Sequence, residues 1–259
     1  MHLPSFFGLL LCLGSGAIFL FGILMLYFAI EKAQASRVVP VVGAFLPLAT
    51  FLISLPFQVE KFSHIQLIGI FLLIFGGLLI SFDLPLSLGK SKFFSGFYFA
   101  FFAGILLAFS YVLFKYLSQN IFGNLSSRDN FITWYVWTRI GMFAGTLFLL
   151  VMPSWRKSIF ESFVGHRKHR KRAVGTGVLF VANKMISGLS ALSLNYALTL
   201  GSVTVTNAMI SVQYVFVLIL AWSFSKKHPQ VFEEKLSFSD WLQKVIAIVV
   251  IAIGIFFIS

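Results

Sequence analysis

Residues 6 to 30 read FFGLLLCLGSGAIFLFGILMLYFAI, twenty-five positions without a charged side chain. A hydrocarbon layer of about 30 Å is crossed by about 20 mostly apolar residues wound as a helix. Lipid offers the backbone no hydrogen-bond partner, so a run of this length predicts a membrane helix and not a strand of an open sheet. The run outlasts a signal-peptide core and lacks the basic residues that open one, which predicts a retained span. Seven further apolar runs obey the same logic. Spans are expected near residues 5–30, 36–57, 64–82, 93–117, 131–152, 174–199, 203–224 and 241–258, an all-α, polytopic membrane fold of about eight transmembrane helices.

Composition agrees. Of 259 residues, 59% are hydrophobic and 11% charged, and the mean hydropathy is +0.94, outside the range of a soluble domain. The net charge of +12 does not point to nucleic acid, because the basic residues sit in short loops beside apolar runs and not on an extended polar surface. Sorting alternate loops places fifteen Lys and Arg on one side, from Lys32 and Arg37 to Lys235 and Lys244, and only Lys61, Lys115 and Arg128 on the other. Cytoplasmic loops retain Lys and Arg, so the fifteen-residue side is expected to be cytoplasmic and both termini outside. A first helix entering from outside with so short a lead inserts more naturally after earlier helices, so the chain is expected to lack its beginning, by two helices if its first repeat has five spans. Cys12 is the only cysteine and lies in an apolar run, which removes disulfide frameworks and cysteine metal sites within the chain.

Two stretches resemble each other. Phe28-Ala29-Ile30, then Ala35-Ser36 and an apolar helix, parallels Tyr196-Ala197-Leu198, then Val203-Thr204 and another. Glu60-Lys61-Phe62-Ser63 precedes a closing run with Gly69, Gly76 and Gly77, as Glu234-Lys235-Leu236-Ser237 precedes one with Gly254. Five spans separate the ends of the two copies, an odd number, so the copies are expected to face opposite ways, as inverted repeats of carriers do.

With Tyr27-Phe28-Ala29-Ile30, Ala35-Ser36, Pro47, Glu60, Gly69 and Gly76 in one half, and Asn195-Tyr196-Ala197-Leu198-Thr199-Leu200-Gly201-Ser202-Val203, Glu234 and Gly254 in the other, the chain resembles an EamA-type member of the drug/metabolite transporter superfamily. The resemblance implies two inverted five-helix repeats around a central cavity. Here it implies an incomplete first repeat of three helices over residues 1–88 and a second of five over 89–259. It also implies a permease for amino acids, sugars, nucleotide sugars or drugs. The chain departs from that plan in having eight spans and in the orientation its loop charges give.

Candidate site residues are the polar ones inside apolar runs. Lys184 lies about ten helical residues from its cytoplasmic end, near the bilayer centre, where an ammonium must face water, a partner or an anionic ligand, or snorkel. Arg139 lies about eight residues inside its span, placed either to clamp a carboxylate or phosphate or to snorkel outward. Pro40, Gly43 and Pro47 share a face and open helix carbonyls, as at a substrate cavity or a packing kink. Asn207, Ser211, Gln213 and Tyr214 on the corresponding later helix, Asn195 and Ser193 on the sixth, and Ser110 and Tyr111 on the fourth either bind substrate or hold helices together.

All eight acidic residues fall in loops or at helix ends, which argues against a mid-membrane proton or sodium site. No P-loop, metal-spaced His and Glu pair or nucleophile elbow occurs, so no catalytic residue, metal or cofactor is expected. The basic run from His166 to Arg172 reads as a topology anchor touching anionic headgroups. The expectation is a carrier that moves a small polar or anionic metabolite by alternating access across the inner (plasma) membrane of a prokaryote. The alternative is a truncated, non-transporting membrane scaffold or subunit, with an intramembrane enzyme third. The partners expected are the lipid bilayer and a small-molecule substrate, with no nucleic acid and with a homo-oligomer left open.

Overall fold

The computed structural model describes residues 3–32, 35–57, 61–81, 96–151, 156, 170–210, 212, 213, 216 and 238–258. Among these residues it is all-α: α1 Phe6–Lys32, α2 Ala35–Phe57, α3 His64–Ser81, α4 Phe97–Tyr116, α5 Ser127–Val151, α6 Arg170–Leu200, α7 Val203–Ala208 and α8 Phe238–Ile258, with a π-turn over Leu117–Ile121. The second part of the expected span 203–224, Tyr214, Ser211, most of the basic run 166–172 and the stretch Glu234-Lys235-Leu236-Ser237 lie outside the described residues. Among the described residues three helical stretches are long and apolar enough to cross a membrane, Phe6–Lys32, Phe97–Ile121 and Arg128–Val151. Val41–Phe57, His64–Leu79 and Leu242–Ile258 are shorter apolar helices.

Among the described residues four helices begin at a serine. Ser5 Oγ accepts the Gly8 N–H at 3.2 Å and Ser202 Oγ the Val205 N–H at 3.0 Å. Ser63 and Gln66 bond reciprocally, each side chain taking the other's backbone N–H, at 3.1 and 3.2 Å. Ser126 Oγ accepts the Asp129 N–H and donates to Asp129 Oδ2 at 2.8 Å. The first N–H groups of a helix have no partner within it, and a serine at the cap supplies one.

The helices fall into two compact units, one of Met1–Leu20 with Leu117–Leu200, the other of Phe21–Tyr116 with Gly201–Ser259. In the second unit α3 and α8 pack antiparallel. A Cβ on Gly69 would lie 2.7 Å from Ile258 Cγ1 and 2.9 Å from the Gly254 carbonyl, and one on Gly76 would lie 2.6 Å from Ile251 Cγ1. As the chain advances along α3 its partner recedes along α8. Only a residue without a side chain permits so close an approach. Leu73, Ile251 and Ala208 form the core there, so α7 joins the pair.

Also in this unit α2 and α4 run parallel, with Phe45 edge-on to Phe97 and Phe101 and Phe57 edge-on to Phe109 and Tyr116. The later half of α1 runs antiparallel to α4: Gly22 faces Leu107, and Ala29 faces Gly96. In the first unit the early half of α1 lies against α5, with Gly16 at Thr138 and Gly141 at Leu13. There α6 meets α5 where Phe131 and Tyr196 stand edge-on, centroids 5.2 Å apart.

Candidate functional site

In the second unit polar side chains gather where α2, α4 and α7 touch. Gly43, Leu46, Pro47 and Thr50 recur at three- and four-residue spacing and so share one face of α2. Pro47 is buried and carries no N–H, so the Gly43 carbonyl has no helical donor four residues on. Pro40 lies within the helix, with its side chain outside the described residues. Thr50 is fully buried and donates its hydroxyl proton to the Leu46 carbonyl at 2.7 Å. Its oxygen accepts Asn207 Nδ2 at 3.0 Å, a bond between residues 157 positions apart. Asn207 is also fully buried, and its carbonyl oxygen has no hydrogen-bond partner.

On α4, Tyr111 and Lys115 are one turn apart and both buried. Tyr111 stands edge-on to Phe114. Lys115 Nζ donates to the Gly201 carbonyl at 2.6 Å, in the tight turn between α6 and α7. An ammonium in the last turn of α4 reaches a carbonyl and leaves its aliphatic stem among apolar neighbours. Gln213, in the same unit, is exposed.

Arg139, Asn195 and Lys184 belong to the first unit. Arg139 is half-buried, its guanidinium 4.7 Å from the Tyr135 ring centre, 5.5 Å from that of Phe19 and 3.6 Å from Met142 Sδ. With Tyr135, Val136, Ile140 and Phe143 it lines an open hollow of about 380 Å³ on one side of α5. Lys184 is exposed, and its ammonium sits 5.5 Å over the Phe180 ring. Both cations therefore face aromatic rings. Asn195 is buried, with Nδ2 donating to the Ala191 carbonyl at 2.7 Å and Oδ1 unpartnered.

The fold thus brings Gly43, Pro47, Tyr111 and Asn207 into one unit beside two residues that polarity alone did not single out, Thr50 and Lys115. Lys115 and Lys244, counted as side-of-membrane charges, are both buried within helices. The signal for Lys115 was present: it comes directly after the unbroken apolar run from Tyr111 to Phe114, one turn before any loop residue. Thr50 gave none, since a threonine in an apolar helix usually bonds its own backbone and looks the same buried or exposed. Among the described residues no group of three or more His, Cys, Asp or Glu side chains comes together. The groups at the junction are one amide, the hydroxyls of Thr50 and Tyr111 and one ammonium, which can hold a polar molecule by hydrogen bonds. No protein-family model matches the chain, and no curated protein does.

Proposed function

We propose that the chain is an integral membrane protein of the inner membrane and an EamA-type carrier of the drug/metabolite class, moving a small polar metabolite by alternating access between two inverted halves. The observation that carries this reading is the buried bond from Asn207 to Thr50. It joins the return helix of one proposed half to that of the other, the place where carriers built from inverted repeats hold their substrate. A fully buried amide oxygen without a partner carries a desolvation penalty of about 1–3 kcal/mol, and a substrate that donates to it removes that penalty. Lys115, close by along α4 and α7, supplies the positive charge that extends the substrate class to anions. The antiparallel α3 and α8 pair agrees with closing helices of opposite orientation, and the excess of Lys and Arg toward one side, which remains once the buried Lys115 and Lys244 are set apart, agrees with a spanning topology.

The test is uptake of labelled amino acids, sugars and nucleotide sugars into vesicles containing the purified protein. Saturable uptake that Asn207→Leu abolishes supports the carrier. Absence of uptake for every class leaves the scaffold reading, which rests on α6: from Phe180 to Ser190 every residue is exposed, Lys184 among them. An ammonium on such a helix is best accommodated by another subunit. Cross-linking between copies through Lys184 favours that reading.

A further inference from the structure

The inner face of α5 carries buried polar groups that the junction of α2, α4 and α7 does not use. Asn130, Thr133, Trp134 and Trp137 recur at spacings of three, one and three residues, so they lie along one stripe of the helix. Asn130, Thr133 and Trp134 are 7%, 0% and 1% exposed. Asn130 Oδ1, Thr133 Oγ1 and Trp137 Nε1 have no hydrogen-bond partner, and neither does Asn195 Oδ1 on α6. Asn195 adjoins Tyr196, whose ring meets Phe131 beside Asn130, so it stands at the same level of the pair.

The chemistry of each free group is fixed by what its other end does. Asn130 Nδ2 faces the Ser118 carbonyl at 2.8 Å, and Asn195 Nδ2 faces that of Ala191. A backbone carbonyl only accepts, so both amide oxygens are left as acceptors. Trp137 Nε1–H can only donate. Thr133 can do either, and it differs from Thr50, Thr138, Thr146, Thr199 and Thr206, each of which turns its hydroxyl to a carbonyl three or four residues earlier. Buried polar groups in folded proteins are normally paired, so a stripe of them calls for a cause.

We infer that this stripe binds an uncharged, hydroxyl-rich molecule of polyol or sugar type. Hydroxyls both donate and accept, which is what two carbonyl acceptors, one indole donor and one hydroxyl require together. Charged ligands fit less well. Arg139 is nine residues from Asn130 and hence on the opposite face of α5 at 3.6 residues per turn, and Asp129 is bonded to its own cap, Ser126. The inference goes beyond the carrier reading by adding a second site, in the first unit, for a neutral ligand, and it rests on that reading for the transport step alone, not for binding.

The experiment measures binding and uptake separately. Purified protein is titrated with sorbitol and glucose, and with glucose 6-phosphate, glutamate and spermidine as charged probes, monitoring tryptophan fluorescence and thermal unfolding. Sorbitol or glucose is expected to bind, with affinity about fivefold to tenfold weaker in Thr133→Val and in Trp137→Phe. Thr133→Val is also expected to unfold at an unchanged or higher temperature without ligand, because it removes an unpaired buried hydroxyl, and Thr133→Ser to restore binding. No response to either neutral probe, a response only to charged ones, or equal affinity in both variants overturns the inference. Binding without uptake retains the site and removes the carrier. Uptake and neutral-probe affinity that are both unchanged in Thr133→Val do the reverse.

Discussion

Asn207 Nδ2 lies 3.0 Å from Thr50 Oγ1, and the same hydroxyl donates to the Leu46 carbonyl at 2.7 Å, so one oxygen ties α7 to α2 and α2 to itself. Both residues are fully buried, which makes the pair asymmetric under mutation. Thr50→Val leaves the Asn207 amide nitrogen without an acceptor and is expected to destabilise the protein by about 1–3 kcal/mol. Thr50→Val combined with Asn207→Leu removes both partners and is expected to destabilise by less than the sum of the two single changes. Unfolding midpoints of the four proteins in detergent check this. Additive effects would show that the two side chains do not interact.

The antiparallel crossing of α3 and α8 predicts which positions can be joined. A Cβ on Gly254 would lie 3.0 Å from Leu73 Cγ, so Leu73→Cys with Gly254→Cys, in a Cys12→Ala background, is expected to form an intramolecular disulfide on mild oxidation. Leu73→Cys with Leu242→Cys, three turns away along α8, is expected to remain reduced. Mobility on non-reducing gels distinguishes them, and linkage of the second pair in place of the first would reverse the register.

The reciprocal bonds of Ser63 and Gln66 at the start of α3 predict a local effect. Ser63→Ala removes the acceptor for the Gln66 N–H and is expected to lower stability by about 1 kcal/mol. Lys61→Ala, two residues earlier and exposed, is expected to leave it unchanged. Thermal unfolding of both variants decides whether the cap or the neighbouring charge sets the helix start.

Helices were legible in the sequence because long apolar runs in a lipid-like composition have one backbone solution. For α2 the expected 36–57 became Ala35–Phe57, and for α3 the expected 64–82 became His64–Ser81. Larger differences are at α6, which begins at Arg170 and not near 174, and at α5, which begins at Ser127 and not near 131. Its first turn, Ser127-Arg128-Asp129-Asn130, is polar, and hydropathy assigned it to a loop. The helix starts where Ser126 caps it and not where apolar residues begin. The same difference hid Asn130. On the site, charge drew attention to Arg139 and Lys184, yet both ammonium and guanidinium rest over rings. Thr50 and Thr133 carry no mark in the sequence, because whether a helical hydroxyl turns back to its own carbonyl or outward to a neighbour is decided by packing.

Lys115 predicts a different kind of loss. Its ammonium reaches the Gly201 carbonyl at 2.6 Å, a charge-assisted bond that holds the turn between α6 and α7. Lys115→Met keeps the apolar stem and removes the donor. It is expected to lower stability by about 1.5–3 kcal/mol and to increase cleavage by protease near Gly201. Lys115→Arg, which keeps a donor, is expected to show less of both. Equal cleavage in Lys115→Met and the parent protein would mean that the turn is held by other contacts.

Whether the apolar helices cross lipid is decided by the ends that their order assigns to opposite sides. Lys32 ends α1 and Arg156 comes after α5, both exposed, whereas Lys61 and Arg128 precede α3 and α5 and are also exposed. If each helix is a span, the chain alternates and these four residues divide in pairs. The excess of Lys and Arg on the side of Lys32 and Arg156 places that pair in the cytoplasm. Single cysteines at the four positions, in a Cys12→Ala background, are therefore expected to react with a membrane-impermeant maleimide on intact cells only at 61 and 128, and at 32 and 156 only after permeabilisation. Labelling of all four from outside would remove the spanning topology and the carrier with it. Labelling of the opposite pair would keep the spans and reverse their orientation.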